Sequence, residues 1–267
     1  MTTAETFSRE LVLRNYAIST IHTYVSCLKL IISRIGERPS LDQMKDFLIT
    51  IKNASYHKQM VGTIHRYHEF ILKKPLDLSD IPYPRRVEKL PEVLSQDEMR
   101  RLIAVPKNLK HQAIIFLLYG CGLRVGEVLN LKPQDIDSSR MVINIRQGKG
   151  KKDRQVMLDE KLLKILREYF AKVRPSNYLF NGQFGDQYSD RSINEFLKYY
   201  AKRAGISKNI HAHTLRHCFA THLLEAGTDM AIIQKLMGHE QIKTTYGYAR
   251  LNSSLISKVR SPLSLMG

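Results

Sequence analysis

Apolar residues recur along most of this chain at intervals of three and four, the period of helices that bury one face. In the first part, such patterns cover about residues 21–35, 41–52 and 56–72. Ser40 precedes the second pattern, and Gln43 follows three residues later, which is the spacing of a capping box. Residues 1–77 therefore predict a small bundle of three helices.

Residues 78–93 interrupt the helical patterns. They contain three prolines, together with the basic residues Arg85 and Arg86. Proline lacks a backbone N–H and excludes a regular helix, so this segment predicts a linker between two domains.

The second part, residues 94–267, combines helices with one hairpin. Residues 141–146 alternate apolar and polar side chains as a strand does, and residues 155–158 can return as its partner. The hairpin tip between them reads QGKGKKDR and carries three lysines. Helical patterns flank the hairpin at about 95–103, 111–119, 161–172, 192–203, 214–227 and 229–237. The predicted fold class is mainly α with a small antiparallel β-sheet.

The charge of the chain indicates a polyanionic partner. Lys and Arg number 42 against 25 Asp and Glu, a formal net charge of +17. Nucleic acid is the first expectation and a membrane surface the second. No apolar run is long enough to span a bilayer, and the N-terminus is polar, so we expect a soluble, cytoplasmic protein. The three cysteines have no CxxC spacing, which argues against a disulfide framework or a zinc knuckle.

Candidate chemistry is concentrated in residues 211–248, HAHTLRHCFATHLLEAGTDMAIIQKLMGHEQIKTTYGY. His213 and Arg216 lie three apart near the start of a predicted helix, an end that favours anions. Arg124 is expected at another helix start, after a Gly-containing turn. Arginine suits phosphate because its planar fork donates two hydrogen bonds and stays protonated. Tyr248 supplies a hydroxyl that could form a phosphoester, and Lys149 on the hairpin could act as an acid.

Each of these residues also has a simpler interpretation. An isolated Arg is usually a surface charge, an isolated His a satisfied polar group, and a Tyr near a C-terminus a packing residue. His213 and His217 lie four apart and could hold zinc. However, HTLRH lacks the glutamate of HExxH, and no third ligand is evident, so no metal is expected.

Four stretches, in order, resemble the tyrosine recombinase/integrase family, especially its Xer type. They are GLRVGEVLNLKPQDID, GKGKKDRQVML, HTLRHCFATHLLEAG and LMGHEQIKTTYGY. The resemblance implies that residues 94–267 are a catalytic domain with a C-terminal helix, and that residues 1–77 are a core-site DNA-binding domain. It also implies a catalytic set of Arg124, Lys149, His213, Arg216, His239 and the nucleophile Tyr248. Tyr246 is the alternative nucleophile, and the family's interval from the Gly-His pair favours Tyr248. Glu127 matches an acidic position that helps to order the site.

The mechanism implied by the resemblance needs no metal, ATP or external nucleophile. Tyr248 attacks a scissile phosphate, which gives a 3′-phosphotyrosyl bond and a free 5′-hydroxyl that then attacks the partner duplex. Lys149 would be the general acid, and His213 would exchange the tyrosine proton. The phosphate would be held by Arg124, Arg216 and His239.

The implied partners are double-stranded DNA with specific recombination sites and further copies of the chain, as a tetramer on two sites. A short helix within residues 251–267 is expected to dock on a neighbouring protomer. The chain is short for the family, which favours a simple recombinase that resolves chromosome or plasmid multimers or moves a genetic element. The alternatives are DNA relaxation like that of a type IB topoisomerase and a non-catalytic DNA-binding protein. Candidate DNA contacts are Lys45, Lys58, Arg66, Arg85, Arg86, Lys151, Lys152 and Arg154.

Overall fold

The computed structural model describes residues 1–85, 92–146, 153–182 and 187–238. The chain divides into two compact units, Met1–Glu88 and Lys89–Gly267. The described residues are mainly helical and include a three-stranded antiparallel sheet, so the predicted fold class is confirmed. Within these residues, no helix combines the length and the apolar character that a membrane crossing requires.

The first unit is a bundle whose helices α2 and α4 form its centre. One core contains Ile31, Met60 and Ile64, and a second is formed where α1 packs against α2 and α4. The helix α1 was not among the three that the sequence predicted, although Thr2 and Glu5 start it with a capping box. The four helices in residues 1–85 are α1 (Thr3–Leu13), α2 (Ile18–Ile35), α3 (Leu41–Ile49) and α4 (Ala54–Phe70).

The packing of the first unit continues beyond residue 77, into the segment that the sequence predicted as a linker. Ile81 is buried in the same core as Ile64. Its carbonyl accepts a hydrogen bond from Nε2 of His65 at 2.8 Å, and Tyr83 stacks on the His65 ring. The first unit therefore needs residues up to at least Ile81 to complete its core.

The second unit is built around α6, which is apolar on all sides and packs between α8 and α10. A helix without a polar face is stable only when it is surrounded by protein. Its other neighbours include α5, α7 and α9. The α-helices that the structure describes in this unit are α5 (Gln96–Ala104), α6 (Leu109–Gly120), α7 (Val125–Asn130), α8 (Glu160–Val173), α9 (Asp190–Arg203), α10 (Ala212–Glu225) and α11 (Met230–Met237).

The sheet contains β1 (Ile136–Asp137), β2 (Val142–Ile145) and β3 (Arg154–Met157), in that order and antiparallel. The sequence predicted the β2–β3 pair but not β1, which has only two residues and no alternation to detect. Ile143 pairs with Val156 and Ile145 pairs with Arg154. Because strand side chains alternate between faces, Arg154 leaves the sheet on the same face as the buried Val156.

Helix α10 is buried along most of its length and is tied to the start of this unit. The backbone N–H of Leu94 donates to Sγ of Cys218 at 3.2 Å, and Nε2 of His222 donates to the Leu94 carbonyl at 2.9 Å. Helix α11 packs on α10 and ends at Gly238, which has a left-handed conformation. Helix α10 is therefore held at a fixed place in the second unit.

Candidate active site

Helix α10 presents His213 and Arg216 from its first turns. The helix begins two residues earlier than predicted, because Nδ1 of His211 accepts the backbone N–H of Thr214 at 3.2 Å and caps it. Arg216 is only 3% exposed, whereas His213 is exposed. The predicted helical placement of this pair is therefore observed, with the arginine inside the protein and the histidine at its surface.

Arg124 stands at the N-cap of α7, directly after a tight turn. The turn depends on Gly122, whose φ is +63° and whose missing Cβ would lie 2.3 Å from the Phe219 ring. Only glycine fits both the backbone conformation and the space. The turn brings the Gly122 carbonyl to Nη1 of Arg216, so one short segment contacts the second arginine and presents the first.

The carboxylate of Glu127 is the common partner of the arginines in this site. Oε1 accepts from Nη1 of Arg124 at 2.8 Å and from Nη1 of Arg154 at 2.7 Å. Oε2 accepts from the backbone N–H of Arg124 and from Nη2 of Arg154, both at 2.8 Å. Nη1 of Arg216 lies 3.9 Å from Oε2, near enough for electrostatic attraction. Glu127 thus joins side chains from α7, α10 and β3.

The position of Glu127 keeps it ionised. Burial opposes the charge, but hydrogen bonding to Arg154, the charge of Arg154 and the contacts with Arg124 outweigh burial and lower the pKa of Glu127 to about 2. The carboxylate therefore carries a full negative charge near neutral pH, while the three guanidinium groups leave an excess of positive charge around it.

The end of α11 is held by the same three arginines. Nε of Arg154 donates to the Leu236 carbonyl at 2.9 Å, and Nη2 of Arg216 donates to the Met237 carbonyl at 2.5 Å. Nη2 of Arg124 donates to the Gly238 carbonyl at 2.9 Å. Carbonyls of a final helical turn lack helical partners and attract cations. Three consecutive carbonyls are therefore satisfied by the arginines, immediately before residue 239.

Arg154 was predicted as a contact to a DNA phosphate. In the structure, its guanidinium N–H groups donate to other parts of the protein. Its side chain is 11% exposed, and its guanidinium donates to Glu127 twice and to Leu236 once. The alternation of β3, which places Arg154 on the face of Val156, was the signal in the sequence that could have indicated this inward position. Within the described residues its donors are thus directed at Glu127 and Leu236, and a contact of Arg154 with DNA stays a prediction.

Three histidines on α10 differ in their surroundings. The pKa of His213 is lowered, first by partial loss of hydration and then by the charge of Arg216. Burial, followed by the nearby His213, lowers the pKa of His217 to about 4. His222 is buried, and its Nδ1 lies 2.9 Å from the Tyr119 hydroxyl. His222 therefore connects α10 to α6 and to the start of this unit. Among the described residues, no group of three His, Cys, Asp or Glu side chains could hold a metal ion.

Several predicted site residues lie outside the described residues. They are Arg86, Lys149, Lys151, Lys152, His239, Tyr246 and Tyr248. Of the predicted DNA contacts in the first unit, Lys45, Lys58 and Arg85 are exposed. Nη1 of Arg66 forms an ion pair with Glu69 at 2.6 Å.

The arrangement of Arg124, Arg216 and His213 is suited to binding an oxyanion. Arg124 and Arg216 approach the same carboxylate from different helices, and the exposed His213 lies one turn from Arg216. Guanidinium groups fixed by a buried carboxylate are preorganised, so binding an anion between them needs little rearrangement.

Several known proteins are similar to this chain in sequence. The phage integrase family matches residues 92–254. A protein of Sinorhizobium fredii named as an integrase/recombinase, y4qK, is 34% identical over 97% of this chain and 87% of its own length. The tyrosine recombinase XerA of Pyrococcus horikoshii is 32% identical over 93% of this chain and 89% of its own.

Two solved structures share the fold. The match to a crystal structure of XerA recombinase covers 97% of this chain and 99% of the XerA chain, with 28% sequence identity and a TM-score of 0.60. The crystal structure of the XerH site-specific recombinase in a post-cleavage complex with its difH substrate is also similar. The match covers 96% of this chain and 83% of the XerH chain, with 21% sequence identity and a TM-score of 0.72. With the sequence match across most of the second unit, these likenesses confirm the resemblance found in the motifs. The chain belongs to the phage integrase family, the tyrosine recombinases that cut and rejoin DNA strands.

Proposed function

We propose that this chain is a site-specific DNA recombinase that cuts and rejoins strands through a 3′-phosphotyrosyl intermediate at Tyr248. The observation that carries the proposal is the convergence of Arg124 and Arg216 on the buried carboxylate of Glu127. Two guanidinium groups fixed in this way form a binding site for a phosphate. Arg124 and Arg216 are therefore the arginines that stabilise the charge that develops on the phosphate during strand cleavage.

The reaction begins when the Tyr248 hydroxyl oxygen attacks the scissile phosphorus. The bond to the 5′ oxygen breaks, and that oxygen receives a proton from Lys149. His213 takes the tyrosine proton, a role supported by its exposure and by its lowered pKa, which keep the ring neutral and accessible near pH 7. His239 contributes a further contact to the phosphate. Because the phosphotyrosyl bond retains the energy of the original ester, a 5′-hydroxyl can reverse the step and rejoin a strand.

The net charge of +17 supports double-stranded DNA as the substrate. In this proposal the first unit binds the core of the site and the second cuts it, with the exposed Lys45, Lys58 and Arg85 as backbone contacts. Binding should weaken steeply as salt rises, because cations released from the DNA drive the association. An affinity that does not change between about 50 and 200 mM salt would contradict this account.

Covalent capture tests the reaction directly. The full chain is incubated with a pool of random-sequence duplexes that carry a nick, so that a cut releases a short fragment and rejoining is blocked. Complexes that survive denaturation are isolated, and their DNA is sequenced. We expect an enriched sequence linked to the protein through its 3′ phosphate.

Two tyrosine variants assign the nucleophile. Tyr248→Phe should abolish capture, whereas Tyr246→Phe should leave it close to the wild-type level. Loss of capture in Tyr246→Phe alone would move the nucleophile to that residue. Wild-type chain that binds the pool but forms no covalent complex would refute the proposal, and relaxation of supercoils without paired sites would identify a topoisomerase instead.

The working unit in this proposal is a tetramer on two DNA sites in the cytoplasm, with residues 251–267 docked on a neighbouring protomer. The biological role is resolution of multimers in the Xer manner or movement of a genetic element. Deleting residues 251–267 should prevent the pairing of two sites while a single site is still bound. Undiminished pairing in a two-site gel assay would refute the exchange.

A further inference from the structure

Arg154 connects three parts of the second unit that the proposed reaction uses. We propose that Arg154 is a positioning residue for strand cleavage, which holds Glu127 and the end of α11 so that Arg124 and Arg216 stay directed at the phosphate. The inference rests on the proposed function, and it assigns Arg154 no contact with DNA.

The guanidinium group of Arg154 holds a side chain and a backbone carbonyl at the same time. Its two Nη atoms meet the two Glu127 oxygens at 2.7 and 2.8 Å, and its Nε meets the Leu236 carbonyl at 2.9 Å. A Cβ on Gly238 would lie 3.1 Å from Cδ of Arg154, so the chain passes closely over this side chain. A lysine could not reproduce these contacts, because its ammonium is a single point and lacks the planar fork.

The hydrogen bonds to Glu127 explain what Arg154 does for the other arginines. A carboxylate offers about four lone-pair sites. Arg124 fills two of them, and Arg154 fills the other two. Nη1 of Arg216 lies 3.9 Å from Oε2, just outside hydrogen-bonding range. Removing Arg154 would leave two sites open on a buried carboxylate, and Arg216 has a donor within 4 Å of it that could move onto them.

Arg154 also anchors the hairpin that carries Lys149. It lies in β3 opposite Ile145, the last strand pair before the hairpin tip. Its contacts therefore attach the tip end of the two strands to α7 through Glu127 and to α11 through Leu236. One side chain thus links the elements that supply the first arginine, the hairpin lysine and the segment leading to His239.

The test compares Arg154→Met and Arg154→Lys with Arg140→Met. Arg140 is exposed in the turn between β1 and β2, so its substitution removes the same charge from the same sheet. Single-turnover cleavage of the captured site is followed at saturating protein, together with the dissociation constant for that site and its salt dependence.

We expect both Arg154 variants to cleave about 100-fold more slowly, the loss that follows a misplacement of about 1 Å in a catalytic group. Their dissociation constants should stay within about twofold of wild type, and the final yield of covalent complex should be unchanged. Arg140→Met should match wild type. A phosphate contact would instead weaken binding and lower the salt slope by about one. That result, or full recovery of the cleavage rate in Arg154→Lys, would overturn the proposal.

A measurement without DNA separates this inference from the proposed function. In a crystal structure of Arg154→Met, Nη1 of Arg216 should move from 3.9 Å to hydrogen-bonding distance of Glu127. If Arg216 and Arg124 keep their present partners in that variant, the positioning role is refuted, whatever the activity of the wild-type chain.

Discussion

The substitution Glu127→Gln tests how the buried carboxylate stabilises the second unit. The side chain is only 6% exposed, and three arginines lie within 4 Å of it. Glutamine keeps the shape but removes the charge, so the variant loses the ion pairs without opening a cavity. We expect it to fold less stably than wild type at neutral pH.

The magnitude follows from the pKa. The pKa of Glu127 falls from an ordinary value of 4.5 to about 2 in the folded chain. Each unit of pKa is equivalent to about 1.4 kcal/mol, so ionised Glu127 contributes about 3 kcal/mol to the free energy of unfolding. Because the folded pKa is depressed, this contribution is fully present above the unfolded pKa and is lost as the pH falls through the folded value. Between pH 6 and pH 3 the loss is about 2 kcal/mol.

Urea unfolding of the full chain, followed by circular dichroism at several values between pH 6 and pH 3, measures this loss. The relevant quantity is the difference between wild type and Glu127→Gln at each pH, because other carboxylates cancel in it. The difference should shrink by about 2 kcal/mol as the pH falls. Glu168→Gln is the control, since its ion pair with Lys172 is exposed and is worth less than about 1 kcal/mol. A difference that stays constant with pH would refute the assignment of a strongly depressed pKa to Glu127.

Three further substitutions test other parts of the site. Arg124→Lys should slow covalent capture by about 100-fold with little loss of DNA affinity, because lysine cannot supply the fork; equal rates would remove Arg124 from the proposed mechanism. Gly122→Ala should destabilise the chain by about 2–4 kcal/mol in urea unfolding, since its φ is +63° and its Cβ would overlap the ring of Phe219. Tyr119→Phe should cost about 1–2 kcal/mol, because Nδ1 of the buried His222 loses its donor; an unchanged midpoint would show that this bond is not formed.

The sequence predicted the parts of the fold that depend on short-range patterns. The capping box at Ser40 starts a helix where expected, and the patterns at about 95–103 and 229–237 correspond to α5 and α11. It placed Arg124 at a helix start because a glycine turn preceded an apolar helix, and the structure agrees. It missed α1 and β1, and it began the linker within the segment that completes the first core. Local patterns identify elements well, but they do not reveal which later residues a core still needs.

The sequence alone determined the family, the fold class and a candidate set of site residues, because motif order and helical spacing are properties of the linear chain. The tertiary structure decided which of the described residues meet. It brought Arg124, Arg154 and Arg216 to one carboxylate and to three successive carbonyls at the end of α11. It also placed Arg154, which the sequence offered as a DNA contact, in an ion pair with the buried Glu127. The physical reason is that ion pairing in a buried site depends on distances between elements far apart in sequence, and only packing fixes those distances.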